Sequence, residues 1–434
     1  MPRLEIRGAQ LLTMVPGQGP VPDGLIAIED GLIAYAGPAG AFLAPVTPPD
    51  EVLDASGCVA IPGLINAHTH CAMTLLRGWA DDMDLRPWLE QMIWPIEMKL
   101  TPEDVYWGVM LGAAEMMRGG VTCFNDMYHH FEAGTQAAID SGIRACPSGV
   151  LLGFLPSAED DLRKALEFTA GLARENHTRI HPMLGPHAPY TCPDHLLQKV
   201  AEGAAEQGIA VHIHLAETEL EVRESITAHG ASPVKHLDDL GLFEVPVNAA
   251  HCVWLSDEDI DLLAARRVGV VHCPGSNMKL ASGVAPVPKL LERGAIVGLG
   301  TDGAASNNNL DLLEEVRLAA LLHKVSSHDP KTVTAESALA LATRGSATAL
   351  GLADRIGTLE PGKRADIAIF DLSAPHLAPG HHTVSDLVYS ARAGDVRHTI
   401  VEGVVVMKDR QFTRLDEVRI IAEARDRARR LVGA

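Results

Sequence analysis

The chain has 434 residues, a formal net charge of −20, 47% hydrophobic residues and 21% charged residues. That is enough for one large α/β core and a smaller satellite, and so acidic a balance argues against nucleic acid and anionic membranes as partners. Apolar stretches are broken by Gly, Pro or charge well short of the about 18 residues a membrane-spanning helix requires.

The opening segment, MPRLEIRGAQLLTM, lacks the basic region and long apolar run of a secretory signal. Residues 1–58 then carry short β-like runs such as GLIAIEDGLIAYAG, which alternate around Gly and Asp-Gly turns. The same texture returns in RADIAIFDL and RHTIVEGVVVMKD. The two ends, 1–58 and 356–434, are therefore expected to build one small composite β-sandwich domain, closed by an amphipathic C-terminal helix in EVRIIAEARDRARRLV.

Residues 59–355 change rhythm, with apolar runs separated by helix-like segments. The runs are CVAIPGLINAHTH, VTCFNDMY, RACPSGVLL, RIHPMLGPH, IAVHIHLAE, VNAAHCVWL, GVVHCPGS and AIVGLGTDG, eight in all. Between the first two lies TPEDVYWGVMLGAAEMMRGG, with Thr101 as the expected N-cap and Gly119-Gly120 as the stop. Eight such units fit a closed (β/α)8 barrel of the TIM type, although an open parallel sheet has the same pattern. Of the seven cysteines most fall in these apolar runs and none forms a CxxC pair, which suits buried free thiols in a reducing cytoplasm.

All the runs but RACPSGVLL carry a reactive residue type toward their ends: His68 and His70, Asp126, His187, His214, His251, His272, Asp302. In a β/α barrel the C-terminal strand ends form the active-site face. His68 and His70 are two apart on a strand, so both imidazoles face one side and can share an ion. His214 offers a third nitrogen, but His212 lies two positions earlier and spacing alone does not choose between them. Asp302 completes a set of three His and one Asp, which suits a catalytic zinc, with iron(II) as the alternative. Asp302 can also take a proton from water, Glu217 can act as an acid, and His251 can polarise the attacking water or a developing alkoxide.

The motifs IPGLINAHTH, HLAE, HCPGSNMKL and GLGTDGAASNNNLDL, in this order, resemble those of the amidohydrolase superfamily. The likeness covers essentially the whole chain and is strongest to the branch holding nucleoside and triazine hydrolases. It implies a (β/α)8 barrel, one divalent ion per subunit on His68, His70, His214 and Asp302, and a homo-oligomer. It selects His214 over His212, leaving His212 as a hydrogen-bonded core residue. Within that branch, LLRGWADDMDLRPWLEQMIWPIEMKLTPEDVYWG and GPHAPYTCPDHLL are similar to the 5′-methylthioadenosine/S-adenosylhomocysteine deaminases. That similarity implies a small nucleoside substrate, with Glu97 on the ribose hydroxyls, His187 on substrate, and Glu217 donating to a ring nitrogen. Glu217 and Asp302 would then both act on and contact the substrate.

Trp79, Trp88 and Trp94 are expected either to wall an apolar pocket or to pack in the core. Some family members hold an amino-acid carboxylate with arginines after the third strand. Here Arg144 lies early in that stretch and no arginine stands near Ser148 or Gly149, which leaves Arg163 as the second candidate. A single arginine can still hold a carboxylate, but the pattern does not supply the bidentate clamp, so methylthioadenosine or adenosine is favoured over S-adenosylhomocysteine. The competing readings are a guanine-type or other nucleobase deaminase or a triazine-type hydrolase on the same fold, and a scaffold homologue without metal. A free base or triazine has no vicinal diol for Glu97, and the presence of all four ligands speaks against a scaffold.

Overall fold

In the computed structural model, which describes residues 3–43, 45, 48–175 and 177–433, the middle of the chain forms one ring of parallel strands. In order around the ring these are Leu64–Thr69, Val121–Tyr128, Arg144–Leu151, Met183–Pro186, Ala210–Leu215, Val247–His251, Gly269–His272 and Ile296–Leu299. Each expected run supplies one strand, and the parallel ladders follow chain order, as short right-handed β/α crossovers require. The eighth strand meets the first through side chains. Asn66 Nδ2 donates to Thr301 Oγ1 at 2.8 Å, the Thr301 N–H donates to Asn66 Oδ1 at 3.0 Å, and the Asp302 N–H donates to the His68 carbonyl at 3.0 Å. The approach is too close for a side chain at Gly300, whose Cβ would lie 2.9 Å from the His68 nitrogen.

Helices between the strands begin where the sequence has capping chemistry. Pro102–Arg118 starts at Thr101, whose Oγ1 accepts from the Asp104 N–H while the Asp104 carboxylate accepts from the Thr101 N–H, and it stops at Gly119. Between the first strand and this helix the chain makes a long excursion over the mouth of the barrel. Its helical part, Leu85–Glu97, is wound in wide π-type turns at Trp88–Ile93. It carries Trp88, Trp94 and Glu97 over the strand ends.

The termini form a mixed nine-stranded sheet. Its N- and C-terminal halves join where Cys58–Pro62 runs antiparallel to Ile367–Asp371. Ile6, Ile26, Ala60, Ile369 and Ile400 share one core. Two details differ from expectation. The run CVAIPGLINAHTH is two strands, because Pro62 and Gly63 break the pairing; Cys58–Pro62 belongs to the terminal sheet, and the expected boundary at 59 falls inside it. The C-terminal helix, Glu417–Val432, docks on the barrel helix Pro102–Arg118. Ile420, Ala424 and Leu431 are buried, and Arg427 and Arg430 meet the fully buried Asp104. All seven cysteines are buried and unpaired. Among the described residues no helix is long and apolar enough to cross a membrane.

Candidate metal centre and catalytic cavity

His68 and His70 leave the first strand on one side and meet His214 from the fifth and Asp302 from the eighth. His70 Nε2 lies 3.1 Å from His214 Nε2, and Asp302 Oδ1 lies 3.4 Å from both His68 Nε2 and His70 Nε2. Four ligands around a tetrahedral ion with bonds near 2.0–2.1 Å are separated by about 3.4 Å, so this spacing suits one ion.

The remaining ring nitrogens fix which atoms face inward. His70 Nδ1 donates to the Met127 carbonyl at 2.7 Å, and His214 Nδ1 donates to the His187 carbonyl at 2.6 Å. Each therefore turns a bare Nε2 lone pair to the centre. His68 Nδ1 and His212 Nε2 are 2.7 Å apart. With the proton on His68 Nδ1, His212 Nε2 accepts, and His212 keeps its own proton on Nδ1, toward Ser148 Oγ at 3.5 Å. His212 thus stands behind His68 as the buried, hydrogen-bonded core residue expected. His68 Nε2 is fully buried and has no hydrogen-bond partner. Two facing lone pairs and an orphaned buried nitrogen beside a carboxylate are costly as they stand, and a divalent cation relieves all three.

The electrostatics agree. Burial lowers His68 to about 4 and pushes His214 well below the usual imidazole range, so both are neutral donors. Burial acts to raise Asp302, but the adjacent imidazoles, His68 first and then His70, hold its carboxyl well below the ordinary range. Asp302 is also fixed by Ser276 Oγ, which donates to Oδ2 at 2.6 Å, and by the Gly303 N–H on Oδ1 at 2.7 Å. Its φ is +62°, and Ala216 (+50°), His251 (+72°) and Cys252 (+47°) are likewise left-handed. Such backbone is costly for non-glycine residues and here concentrates at the strand ends that surround the centre.

A narrow cavity of about 50 Å³ opens over the cluster. On one wall Glu217 accepts from Ser282 Oγ at 3.1 Å, and its Oε2 lies 3.8 Å from His251 Nε2. Burial raises the Glu217 pKa, which favours a protonated acid. His251 Nδ1 donates to Asn277 Oδ1 at 2.9 Å, so Nε2 is the atom offered to the cavity. Burial acts to lower His251, and Glu217 and Asp302 reverse this to a net rise. On the opposite wall Glu97 is buried 3.7 Å from His129 Nε2; burial opposes ionisation, but His129 and Tyr128 hold its pKa below the usual range. His187 also lines the cavity and is driven down to about 3 by burial.

The structure brings Glu97, His187, Glu217, His251 and Asp302 together with His70 and His214 around one cavity, and His68 meets Asp302 beneath it. It does not bring Arg163, which lies on the exposed face of helix Ala158–Glu175 in ion pairs with Asp160 and Glu167 at 2.5 and 2.6 Å. Arg144 lies at the opposite end of the barrel, buried against Asp366. Neither makes a carboxylate clamp, because position after a strand in sequence does not fix which end or face an arginine occupies. Trp88 and Trp94 line the cavity, whereas Trp79 points outward and is 37% exposed. Asp126 and His272 end strands but serve structure. Asp126 accepts from Thr69 Oγ1 and the Cys71 N–H, and His272 pairs with His323. Ser276, Asn277, Ser282, Tyr128 and His129 were not singled out by the sequence; the first two lie in the motif HCPGSNMKL, which was the available signal.

A parallel eight-stranded ring with neutral imidazoles and an ionised carboxylate converging at its C-terminal mouth defines a class of barrel hydrolases that work with a bound metal. The amidohydrolase family model matches residues 59–406. Over 432 residues the chain is 50% identical to the 5-methylthioadenosine/S-adenosylhomocysteine deaminase of Pelotomaculum thermopropionicum, covering 100% of this chain and 99% of that one. It is 48% identical over 429 residues to the 5′-deoxyadenosine deaminase of Methanosarcina mazei, covering 98% of each. The crystal structure of an adenosine deaminase from Xanthomonas campestris with bound zinc superposes with a TM-score of 0.94 at 36% identity, over 99% of each chain. The chain belongs to the amidohydrolase family, whose hydrolases are metal-dependent.

Proposed function

We propose that this chain hydrolytically deaminates adenosine-type nucleosides, and that a small 5′ substituent such as methylthio is preferred over one ending in an amino-acid carboxylate. One observation carries the reading. A single cavity sets the buried, ionised Glu97 on one wall and the Glu217–His251 pair on the other, with the four-ligand cluster between them. A carboxylate offers only acceptors, which suits a vicinal diol, and a protonated carboxyl opposite suits a ring nitrogen. The full-length likeness to deaminases named for 5′-substituted adenosines supports the same substrate class. Among the described residues no Lys or Arg lines the cavity itself, and Arg86 in the adjoining cleft is already paired with Glu224, which favours an uncharged 5′ group.

One divalent ion, zinc by donor type, would be held by His68, His70, His214 and Asp302, and it would supply the Lewis acidity that makes water a nucleophile at neutral pH. The protein's own groups do the rest. Glu217 gives its proton to the purine N1 as water adds to C6. Asp302 takes the proton that water loses and returns it to the amino group. His251 Nε2 stabilises the oxygen as charge develops there. The C6–N bond then breaks, ammonia leaves, the proton on the new C6 oxygen returns to Glu217, and the inosine analogue remains.

Ammonia release across adenosine, methylthioadenosine, S-adenosylhomocysteine, guanine and cytosine tests this. Turnover should be confined to the nucleosides, with kcat/KM higher for methylthioadenosine than for S-adenosylhomocysteine. A preference for a free base overturns the nucleoside reading, and comparable kcat/KM for the two thioethers overturns the preference at the 5′ end.

A further inference from the structure

Away from the cavity, another trio of His and carboxylate donors stands at ion-binding spacing among the described residues: Asp194, His229 and His236. We infer that these three form a second divalent transition-metal site on the outer flank of the barrel. Their donor atoms all lie within 4.8 Å of one another. They come from three helices: Asp194 opens Asp194–Gln207, His229 closes Glu219–His229, and His236 lies in Pro233–Asp239. The meeting is built rather than incidental. The helix carrying His229 ends at Gly230 with φ +72°, and Ser232 caps the next helix by accepting from the Lys235 N–H at 3.1 Å. This tight turn brings the two imidazoles face to face, with centroids 3.8 Å apart and planes 23° apart.

His236 is nearly buried and already 3.0 Å from Asp194 Oδ1, so two of the three donors are in place. Donors around a zinc-like ion sit about 3.4 Å apart. His229 must therefore close by about an ångström, and it is exposed and free to do so. In the stack the two ring planes are nearly parallel, so His229 must turn out of it to aim a ring nitrogen at an ion held by His236 and Asp194. Asp194 and the two histidines open on a cleft whose other charged side chains are Glu221 and Glu224, both acidic. Glu224 is partly offset by Arg86 across the rim. Two imidazoles and one carboxylate suit zinc, copper or nickel rather than magnesium or calcium.

The site would tie the far end of the Glu219–His229 helix to its neighbour. The near end of that helix already supports Glu217, because Glu221 accepts from the Ala216 and Glu217 N–H groups at 2.8 Å each. Bound metal should therefore raise the unfolding temperature without being required for turnover.

The test uses untagged holoenzyme with its resident ion, dialysed against zinc in excess over protein and assayed by elemental analysis. One further zinc per chain is expected. It should be lost in His229→Ala and in the His229→Ala/His236→Ala double variant, and bound about tenfold more weakly in Asp194→Asn. Basal turnover in all three should match the parent. Copper in place of zinc should show coupling to two nitrogen nuclei in the electron paramagnetic resonance spectrum of the parent and none in the double variant. Absence of a further equivalent overturns the proposal, as does an equivalent that the double variant retains.

Discussion

At the N-terminal ends of the barrel strands Arg144 is fully buried. It donates to both Asp366 oxygens at 2.8 and 3.1 Å and to the Thr178 carbonyl at 2.7 Å, and Asp366 also accepts from the Glu402 N–H at 2.8 Å. At the C-terminal ends His68 is equally buried, yet its Nε2 has no partner and His70 and His214 turn bare nitrogens toward each other. Both ends bury charge. The lower end satisfies it and locks the barrel to the terminal sheet. The upper end leaves it open, on backbone held in left-handed conformations, and only an added cation completes it. Unmet valence separates a site from a brace, where burial and charge alone do not.

If the upper end is completed by metal, the largest loss follows from removing a ligand. His70→Ala should bring both metal content and turnover to background, measured by elemental analysis and ammonia release. Near-normal metal retention in that variant would remove the basis of the comparison. Next is Glu217→Gln, which keeps the shape and hydrogen-bonding capacity of the side chain but not the transferable proton. Metal content should be unchanged while kcat falls about 10²–10⁴-fold, the usual contribution of a positioned acid. Asn277→Ala removes the acceptor that fixes the His251 proton on Nδ1. A fall in kcat of about 10–100-fold is expected, with the metal retained.

Much of this upper end was legible beforehand, and the physics explains which part. His68 and His214 lie on strands, and His70 and Asp302 lie one and three residues past strand ends, so period two and the rule of C-terminal ends bring them to one face. Glu97 and His187 came from motif likeness, and the cavity contains both. Ser282 and His129 act from loops, and Ser276 and Asn277 from the short helix Pro274–Lys279, whose placement no local period encodes. Arg144 was misjudged because a residue at the start of a strand faces the floor of the barrel. Arg163 was misjudged because a helix has an outer face, where Asp160 and Glu167 at helical spacing already hold it. The terminal sheet was readable as β-rich ends, but Pro62-Gly63 divides what looked like one strand.

The lower end is tested by Arg144→Met. Leaving Asp366 buried without its partner should cost about 3–5 kcal/mol of stability, seen as a lower urea midpoint, while kcat of the folded enzyme stays unchanged. A loss of kcat at full folding would mean that the two ends are coupled and that the brace is part of the site.

The smallest expected signal is a slope rather than a loss, and it concerns a group at the upper end that is satisfied like the lower one. Glu315 is fully buried, accepts from the Gly275 N–H at 2.8 Å and from Asn307 Nδ2 at 2.9 Å, and is raised by burial to about 8. Its unfolded counterpart titrates near 4.5. Between those values the folded chain holds a proton that the unfolded chain has released, so stability falls as pH rises through the window and the contribution is fully present only below it. Glu315→Gln removes that dependence. Whatever constant cost the amide brings, the unfolding temperature of the variant should gain on that of the parent from pH 5 to pH 8. A difference that stays flat across this range would mean that Glu315 is ionised in the folded protein and that its hydrogen bonds, not its proton, offset its burial.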